Sequence, residues 1–258
     1  AADAFELACR AMCRDLGVDL QVIRVDARHA PGESPEAAAR EVRYRALADA
    51  ARQRGLRNVL LAQHADDQVE TVLLALTRGA GVAGLAAMPD RFERDGVAFH
   101  RPWLSVHRES IEAWLDARSL HWVDDPSNAD TRYTRNRLRH RVVPPLREAF
   151  PGIRATVART AAHAAQAQRL LDERAEEDLR RVGDPPRIAD LHALSRDRQA
   201  NLLRHWLQRT GGSAGSAAQL SELLDQIDDC RTRGHRIELR IAAGTVWRDG
   251  PLLRWRYN

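Results

Sequence analysis

Residues 59–88, VLLAQHADDQVETVLLALTRGAGVAGLAAM, bring one imidazole and three carboxylates close together in sequence: His64, Asp66, Asp67 and Glu70. Side chains of these types bind metal ions, hold a nucleotide, or cap a helix. Zinc is disfavoured, because the stretch has a single histidine and no second one at helical spacing. Mg²⁺ held between carboxylates and the phosphates of a substrate remains open. A Gly-x-Gly-x-x-Gly runs from Gly79 to Gly84, but a dinucleotide loop must follow a strand and open a helix, and this one trails a helix. Position then decides. His64, Asp66 and Asp67 stand where an apolar run meets a helix start, which is where open α/β sheets bind ligands. Asp67 and Glu70 also form an Asp-x-x-Glu capping-box pattern, which requires no ligand.

A second constellation lies in HWVDDPSNADTRYTRNRLRHR, residues 121–141. Asp124 and Asp125 precede a Pro-Ser-Asn turn, and Tyr133, Arg135, Asn136 and Arg139 follow at helical spacing. A solvated charged loop has a similar composition. Arginines interleaved with an aromatic ring and an amide are also what a site gripping phosphates and a base uses. Arg132, Arg137, Arg141 and Arg147 add to this basic run, in which 132–147 contains no acid.

Composition narrows the chemistry further. The chain has 258 residues, 44% hydrophobic and 29% charged, with a net charge of +4, as expected of a globular protein with a core. It contains no lysine, so all 40 basic residues are arginines. Walker-type and Schiff-base lysine chemistry by the chain itself is thereby excluded. Cys9, Cys13 and Cys230 make no even disulfide framework, and Cys9 and Cys13, one helical turn apart, read as residues of a buried helix. The first residues do not read as a signal peptide and no apolar run is long enough to span a membrane, so a cytoplasmic location is expected.

The elements that must position these residues alternate. Helices are expected at 3–16, with Phe5, Ala8, Cys9, Met12 and Leu16 on one face, at 34–54 with Ser34 as N-cap, and from Asp67 to Arg78 with an apolar stripe of Val69, Val72, Leu73 and Leu76. Strands are expected at 18–26, at 58–64 buried on both faces, and at 97–104. This alternation predicts a parallel α/β sheet. A helix at 107–119 capped near Ser105 comes next, and VVPPLREAFPG at 142–152 reads as a break between domains. A long helix at 153–182 leads to helices near 190–210 and 216–230, then strands at 236–241 and 244–256 with a hairpin turn at Asp249-Gly250. The domains expected are 1–148, a linker helix at 149–183, and 184–258.

AQHADDQVETVLLALTRGAGVAGLAAM, RPWL at 101–104 and WVDDPSNADTRYTRNRLRHRVVPPL at 122–146 closely resemble, in order and spacing, the bacterial tRNA(Ile)-lysidine synthetases, which belong to the N-type ATP pyrophosphatase group. The resemblance covers at least residues 1–165, and 185–258 looks like that family's substrate-binding domain. It implies an incomplete ATP-pyrophosphatase-like α/β domain followed by a smaller tRNA-binding domain. It also implies a reaction: ATP adenylates the wobble cytidine of a minor isoleucine tRNA with a CAU anticodon, and free L-lysine displaces AMP. ATP and Mg²⁺ are the implied cofactors, no membrane is involved, and a homodimer is left open.

Carried over by this resemblance, His64, Asp66 and Asp67 match the motif at the nucleotide and cytidine site, and Arg78 and Gly79 match its following Arg-Gly loop. Arg101 matches an Arg-Pro pair, and Asp125, Asn128, Tyr133, Arg135, Asn136 and Arg139 match the tRNA and substrate pattern. His64, Asp67 and Arg135 are expected to be catalytic: Asp67 near Mg²⁺ and Arg135 stabilising charge at the adenylated centre. Gln63 stands where many members have a second histidine. The family's Ser-Gly-Gly-x-Asp-Ser phosphate loop does not occur in the 258 residues. The resemblance therefore implies that a strand–helix–strand unit is missing and that this chain alone is inactive. Two rival readings are another tRNA-modifying ATP pyrophosphatase, such as a thiolase, which would want a catalytic cysteine pair, and a non-catalytic RNA-binding remnant.

Overall fold

The computed structural model describes residues 2–26, 28, 35–123, 126–230 and 235–258. The chain divides into two compact units, Ala1–Ala165 and Gln166–Asn258. The division falls inside the longest helix, α8 (Ile153–Val182).

In the first unit, α1 (Ala2–Asp15) and α2 (Pro35–Gln53) precede β1 (Asn58–Leu60), and α3 (Ala65–Thr77) and α4 (Val82–Leu85) follow it. Next come the hairpin β2 (Arg91–Arg94) and β3 (Val97–His100), α5 (Arg108–Asp116), a 3-10 turn (Pro126–Ala129), α6 (Thr134–Arg141) and α7 (Val143–Ala149). The sheet order is β1-β3-β2, with β1 parallel to β3 and β2 antiparallel to it. Every second residue of β3 is buried, and Val97 and Phe99 meet Tyr44, Ala48 and Ala51 of α2. Tyr44 sits edge-on to Phe92 and Phe99 at 5.6 and 5.3 Å, and those two rings stack at 5.1 Å. Offset and edge-on contacts of this kind add to area burial in fixing how α2 lies on the sheet.

Several expectations need correction here. Strand β1 stops at Leu60 rather than His64, and it is not buried on both faces: Leu60 is 71% exposed. Among the described residues it pairs only with β3. Segment 18–26 belongs to no ladder, and Val22, Ile23 and Val25 are exposed. A buried central strand needs a neighbour on each edge, and among the described residues β1 has one and 18–26 has none. Helix α1 forms as expected, but Cys9 is exposed, Cys13 is half-buried, and Met12 and Leu16 face solvent, so the buried-helix reading of the cysteine pair fails. Leu76, placed in the apolar stripe of α3, is exposed as well, whereas Val69 and Val72 are buried.

The run Val143–Ala149 is helical, which corrects the expected break. Pro144 and Pro145 fall in the first turn of α7, where their fixed φ suits the helix and their missing N–H groups have no intrahelical acceptor to lose. Helix α5 begins after His107 rather than near Ser105. The Ser34 cap lies outside the described residues. Strand β2 was not expected, although its signal is present: Asp95 and Gly96 have φ of 50° and 75°, the two positive values of a type I′ hairpin turn, which Asp-Gly favours.

The second unit packs α9 (Ile188–Leu191), α10 (Arg196–Gly211) and α11 (Ala217–Asp229) on an antiparallel sheet of β4 (Glu238–Ile241), β5 (Gly244–Asp249) and β6 (Leu252–Tyr257). Leu202, Leu203, Trp206 and Leu207 on α10 and Leu220, Leu223, Leu224 and Ile227 on α11 recur at helical spacing and are buried against Ile241, Val246 and Leu253. Their side chains form the core of this unit. Ser216 and Gln219 close a capping box at the start of α11.

Candidate active site

Helix α3 begins one residue after His64, so the first turn of this helix carries Asp66 and Asp67. Asp67 is not the cap expected. It occupies the third helical position, where its Oδ2 accepts the His64 backbone N–H at 3.0 Å, the return half of a capping box. Acidic groups here also face the positive end of the helix dipole.

Glu70 is the larger departure from the sequence reading. It caps nothing and lies 2% exposed beneath α6. Its Oε2 accepts Arg135 Nε at 2.7 Å and Arg139 Nη2 at 3.0 Å, while Oε1 accepts Arg139 Nε at 2.6 Å. Arg135 Nη2 donates to Asp67 Oδ1 at 3.2 Å. Hydrogen bonding to Glu70 raises the pKa of Arg139 against the opposing effect of its burial. Two motifs far apart in the chain thus meet: one turn of α3 supplies Asp67 and Glu70, and one turn of α6 supplies Arg135 and Arg139. Their i, i+3 and i, i+4 spacings put each pair on a single helix face.

Asp66 points the other way. Its Oδ2 accepts the Arg108 backbone N–H at 3.0 Å, satisfying a free donor at the start of α5, and its Oδ1 accepts Arg154 Nε at 2.7 Å. Burial opposes its ionisation, but the Arg108 N–H and the Arg154 guanidinium prevail and hold its carboxyl below the usual range. Arg154 also donates to Glu109, and together with Arg147 it pulls the Glu109 carboxyl down to about 2. His64 lies between the two aspartates, with Nδ1 3.8 Å from Asp66 and Nε2 3.5 Å from Asp67. Its Nδ1 is buried without a hydrogen-bond partner.

The remaining expected site residues divide. Asn136 is buried, and its Nδ2 donates to the Ser127 and Asp130 carbonyls at 2.7 and 3.0 Å, so it ties the 3-10 turn to α6. Tyr133 precedes α6 and is exposed, and the Asn128 carbonyl accepts His140 Nε2. Arg101 is 7% exposed and donates to the Pro89 carbonyl, Tyr44 Oη and Gln63 Oε1, with its guanidinium 4.6 Å from the Phe92 ring centre. All these partners are in its own unit, and they lock the end of β3 onto the aromatic cluster. Arg78 and Gly79 end α3. The Gly79 and Ala80 N–H groups bond back to Leu76 and Ala75 around a Gly79 φ of 65°, a glycine-terminated stop. At about 1.5 Å of rise per residue, this stop lies about 16 Å along the helix from Asp67, so the structure does not bring it to the cluster. Asp125 lies outside the described residues.

Sequence reasoning treated Glu70 as a cap and did not single out Arg154. Glu70 had a signal, since it lies one turn from Asp67. Arg154 had none, being one arginine among many in an Ala- and Arg-rich helix.

Residues 1–146 match the family profile of the PP-loop domain, and residues 187–256 match that of the TilS substrate binding domain. The chain is 56% identical over 253 residues to the tRNA(Ile)-lysidine synthase of Polaromonas naphthalenivorans, across 98% of this chain and 77% of that protein. The chain belongs to the tRNA(Ile)-lysidine synthase family. The relative from Burkholderia mallei is 47% identical over 89% of this chain, and the match spans 48% of that protein. The Bordetella parapertussis synthase is 43% identical over 96% of this chain and 78% of its own length. Among solved structures, the U34-tRNA thiolase NcsA of Methanococcus maripaludis, with its 4Fe-4S cluster, aligns over 62% of this chain and 55% of its own at a TM-score of 0.52 and 12% identity, a likeness of fold alone. The expected fold class, a PP-loop α/β domain followed by a smaller substrate-binding domain, is borne out. Among the described residues no helix is long and apolar enough to cross a membrane.

Proposed function

We propose that this lysidine synthase family member joins free L-lysine to the wobble cytidine of a CAU-anticodon isoleucine tRNA through an adenylated cytidine. The observation that carries the reading is the Asp67–Glu70–Arg135–Arg139 cluster, assembled from both motifs on which the resemblance rests.

Each residue's part follows from its surroundings. Arg135 is held by Glu70 and Asp67, so its planar fork is fixed before substrate arrives and can stabilise charge developing on the adenylated ring oxygen. Arg139 holds Glu70 from the other side, so that two guanidiniums share one buried carboxylate. His64, whose side chain is 17% exposed and whose Nδ1 has no partner within the chain, is the imidazole we assign to the nucleotide. The attacking lysine amine must be neutral, and a nearby carboxylate or water takes its proton. Tyr133 and Asn128 are exposed at and before the start of α6, and their part in this reading is to contact tRNA.

Mg²⁺ fits as a partner of substrate phosphates. Among the described residues no three His, Cys, Asp or Glu side chains form a cage, and Mg²⁺ bound through phosphates needs only one or two carboxylates. Asp67 is the residue to supply one. When bound, the ion would supply positive charge against the substrate phosphates.

Because Ser-Gly-Gly-x-Asp-Ser does not occur in the 258 residues, we also infer that this chain by itself binds ATP weakly and makes no lysidine. Gly79–Gly84 is no substitute, since it follows the negative end of the α3 dipole and the helix it opens, α4, has only four residues. The deciding experiment is nucleoside mass spectrometry of CAU-anticodon tRNA incubated with ATP, lysine and the full chain its gene encodes. Lysidine is expected, and unmodified cytidine under these conditions overturns the reading.

A further inference from the structure

Asp66 differs from its neighbours in what restrains it. Asp67 and Glu70 are held by α6, whereas Asp66 is held by the start of α8. Arg154, the second residue of α8, is 11% exposed and divides its guanidinium between two carboxylates. Nε and Nη2 reach Asp66 Oδ1 at 2.7 and 2.6 Å, and Nη1 reaches Glu109 Oε2 at 2.9 Å. The other Asp66 oxygen accepts the Arg108 N–H. Both oxygens are therefore fixed, and the nearer lies 3.8 Å from His64 Nδ1, beyond hydrogen-bonding distance. That buried nitrogen stays unpaired within the chain. Without Arg154, one Asp66 oxygen loses its cation and the carboxylate can turn toward the imidazole.

We propose that Arg154 is a positioning residue: by clamping Asp66 to the start of α5, it keeps His64 available to the nucleotide. The proposal rests on the nucleotide reading of His64 given above. It assigns a role to a residue outside both sequence motifs, on a helix that composition alone marks as a linker. Arginine is required rather than any cation, because only the planar fork reaches Asp66 and Glu109 in one geometry.

The test is calorimetric titration of the full gene-encoded chain with MgATP, comparing wild type, Arg154→Leu, Arg154→Lys and Glu109→Gln, with lysidine formation by the wild type followed in parallel. Removing a partner that orients the ligands of a metal site changes affinity by about tenfold or more, and by the same reasoning freeing Asp66 to pair with His64 in Arg154→Leu should weaken ATP about tenfold. Arg154→Lys keeps the charge without the fork and should lose about threefold. Glu109→Gln breaks the same α5–α8 ion pairs but spares Asp66, and its affinity should stay within about twofold of wild type. Unchanged affinity in Arg154→Leu overturns the proposal, and so does a Glu109→Gln loss equal to it, which a merely structural role predicts. Should Arg154→Leu fail to fold, Arg154→Lys decides, and wild-type affinity there overturns the proposal. A wild type that binds ATP but makes no lysidine sinks the proposed reaction and leaves Arg154 to be judged on affinity. A wild type that does not bind ATP sinks both.

Discussion

Replacing Glu70 with glutamine preserves shape and removes one charge from beneath α6. Three N–H groups from two guanidiniums converge on the carboxylate at 2.6 to 3.0 Å. Glutamine offers one acceptor oxygen and turns an NH₂ toward an arginine, so at least one charge-assisted bond becomes a donor facing a donor. Such bonds contribute about 1.5–3 kcal/mol each, and removing one partner of a buried pair costs about 3–5 kcal/mol. The arginine side chains are each 24% exposed, so water relieves part of the loss and about 2–4 kcal/mol is expected. In a unit of this size each kcal/mol moves Tm by about 2–4 °C, which gives a fall of about 4–16 °C. Thermal and urea unfolding followed by circular dichroism measure it, with Glu109→Gln as reference. Glu109 is 53% exposed, and its loss should cost under about 1 kcal/mol. If Glu70→Gln unfolds no earlier than Glu109→Gln, the cluster does not hold α3 to α6 as described.

Asp67→Asn keeps an oxygen for the His64 N–H but turns its NH₂ toward Arg135, so it should cost about 1–3 kcal/mol of stability, yet abolish lysidine formation in the full chain; normal turnover would leave Asp67 a structural residue of the α3 start. Binding to tRNA should weaken steeply between about 50 and 200 mM salt through counterion release, and Arg135→Lys should impair turnover although charge is kept; a salt-independent affinity, from filter binding, would exclude the arginine-rich segment as the contact. The folded-state pKa of Glu109 is depressed from 4.5 to about 2, so its contribution is complete above the unfolded value and is lost as pH falls between the two. Glu109→Gln should therefore lose less stability than wild type over that interval in acid titration.

How far the sequence carried the fold depended on whether a signal was local. Helix α8 was expected at 153–182 and occurs there, and the Asp249-Gly250 turn was read from residue type, because helical periodicity and turn chemistry are written within a few residues. The β1 and 18–26 expectations failed because burial of a strand depends on its neighbours, which its own residues do not encode. At the site, position along the chain identified the α3 start as functional, and the α6 spacing was legible as one face. Which partner each side chain takes was not. Arg101 looked like a substrate contact and is enclosed by Pro89, Tyr44 and Gln63, while Asp66 caps α5 from 42 residues away.

The turn of α3 that carries Asp67 and Glu70 also constrains the length of the chain, independently of its chemistry. Each residue added to a helix rotates all that follows by about 100°. One residue inserted between Asp67 and Glu70 would swing Glu70 away from Arg135 and Arg139, and would carry Val72 from the interior toward water in the same movement. Val69 would shift as well if the insertion preceded it. Site and core therefore share one angular phase, and no compensating substitution restores both. The stretch 117–121, which leaves the end of α5 through a turn, has no such phase to keep. Insertions and deletions accumulated by this chain and its relatives should fall there and be missing from 64–72.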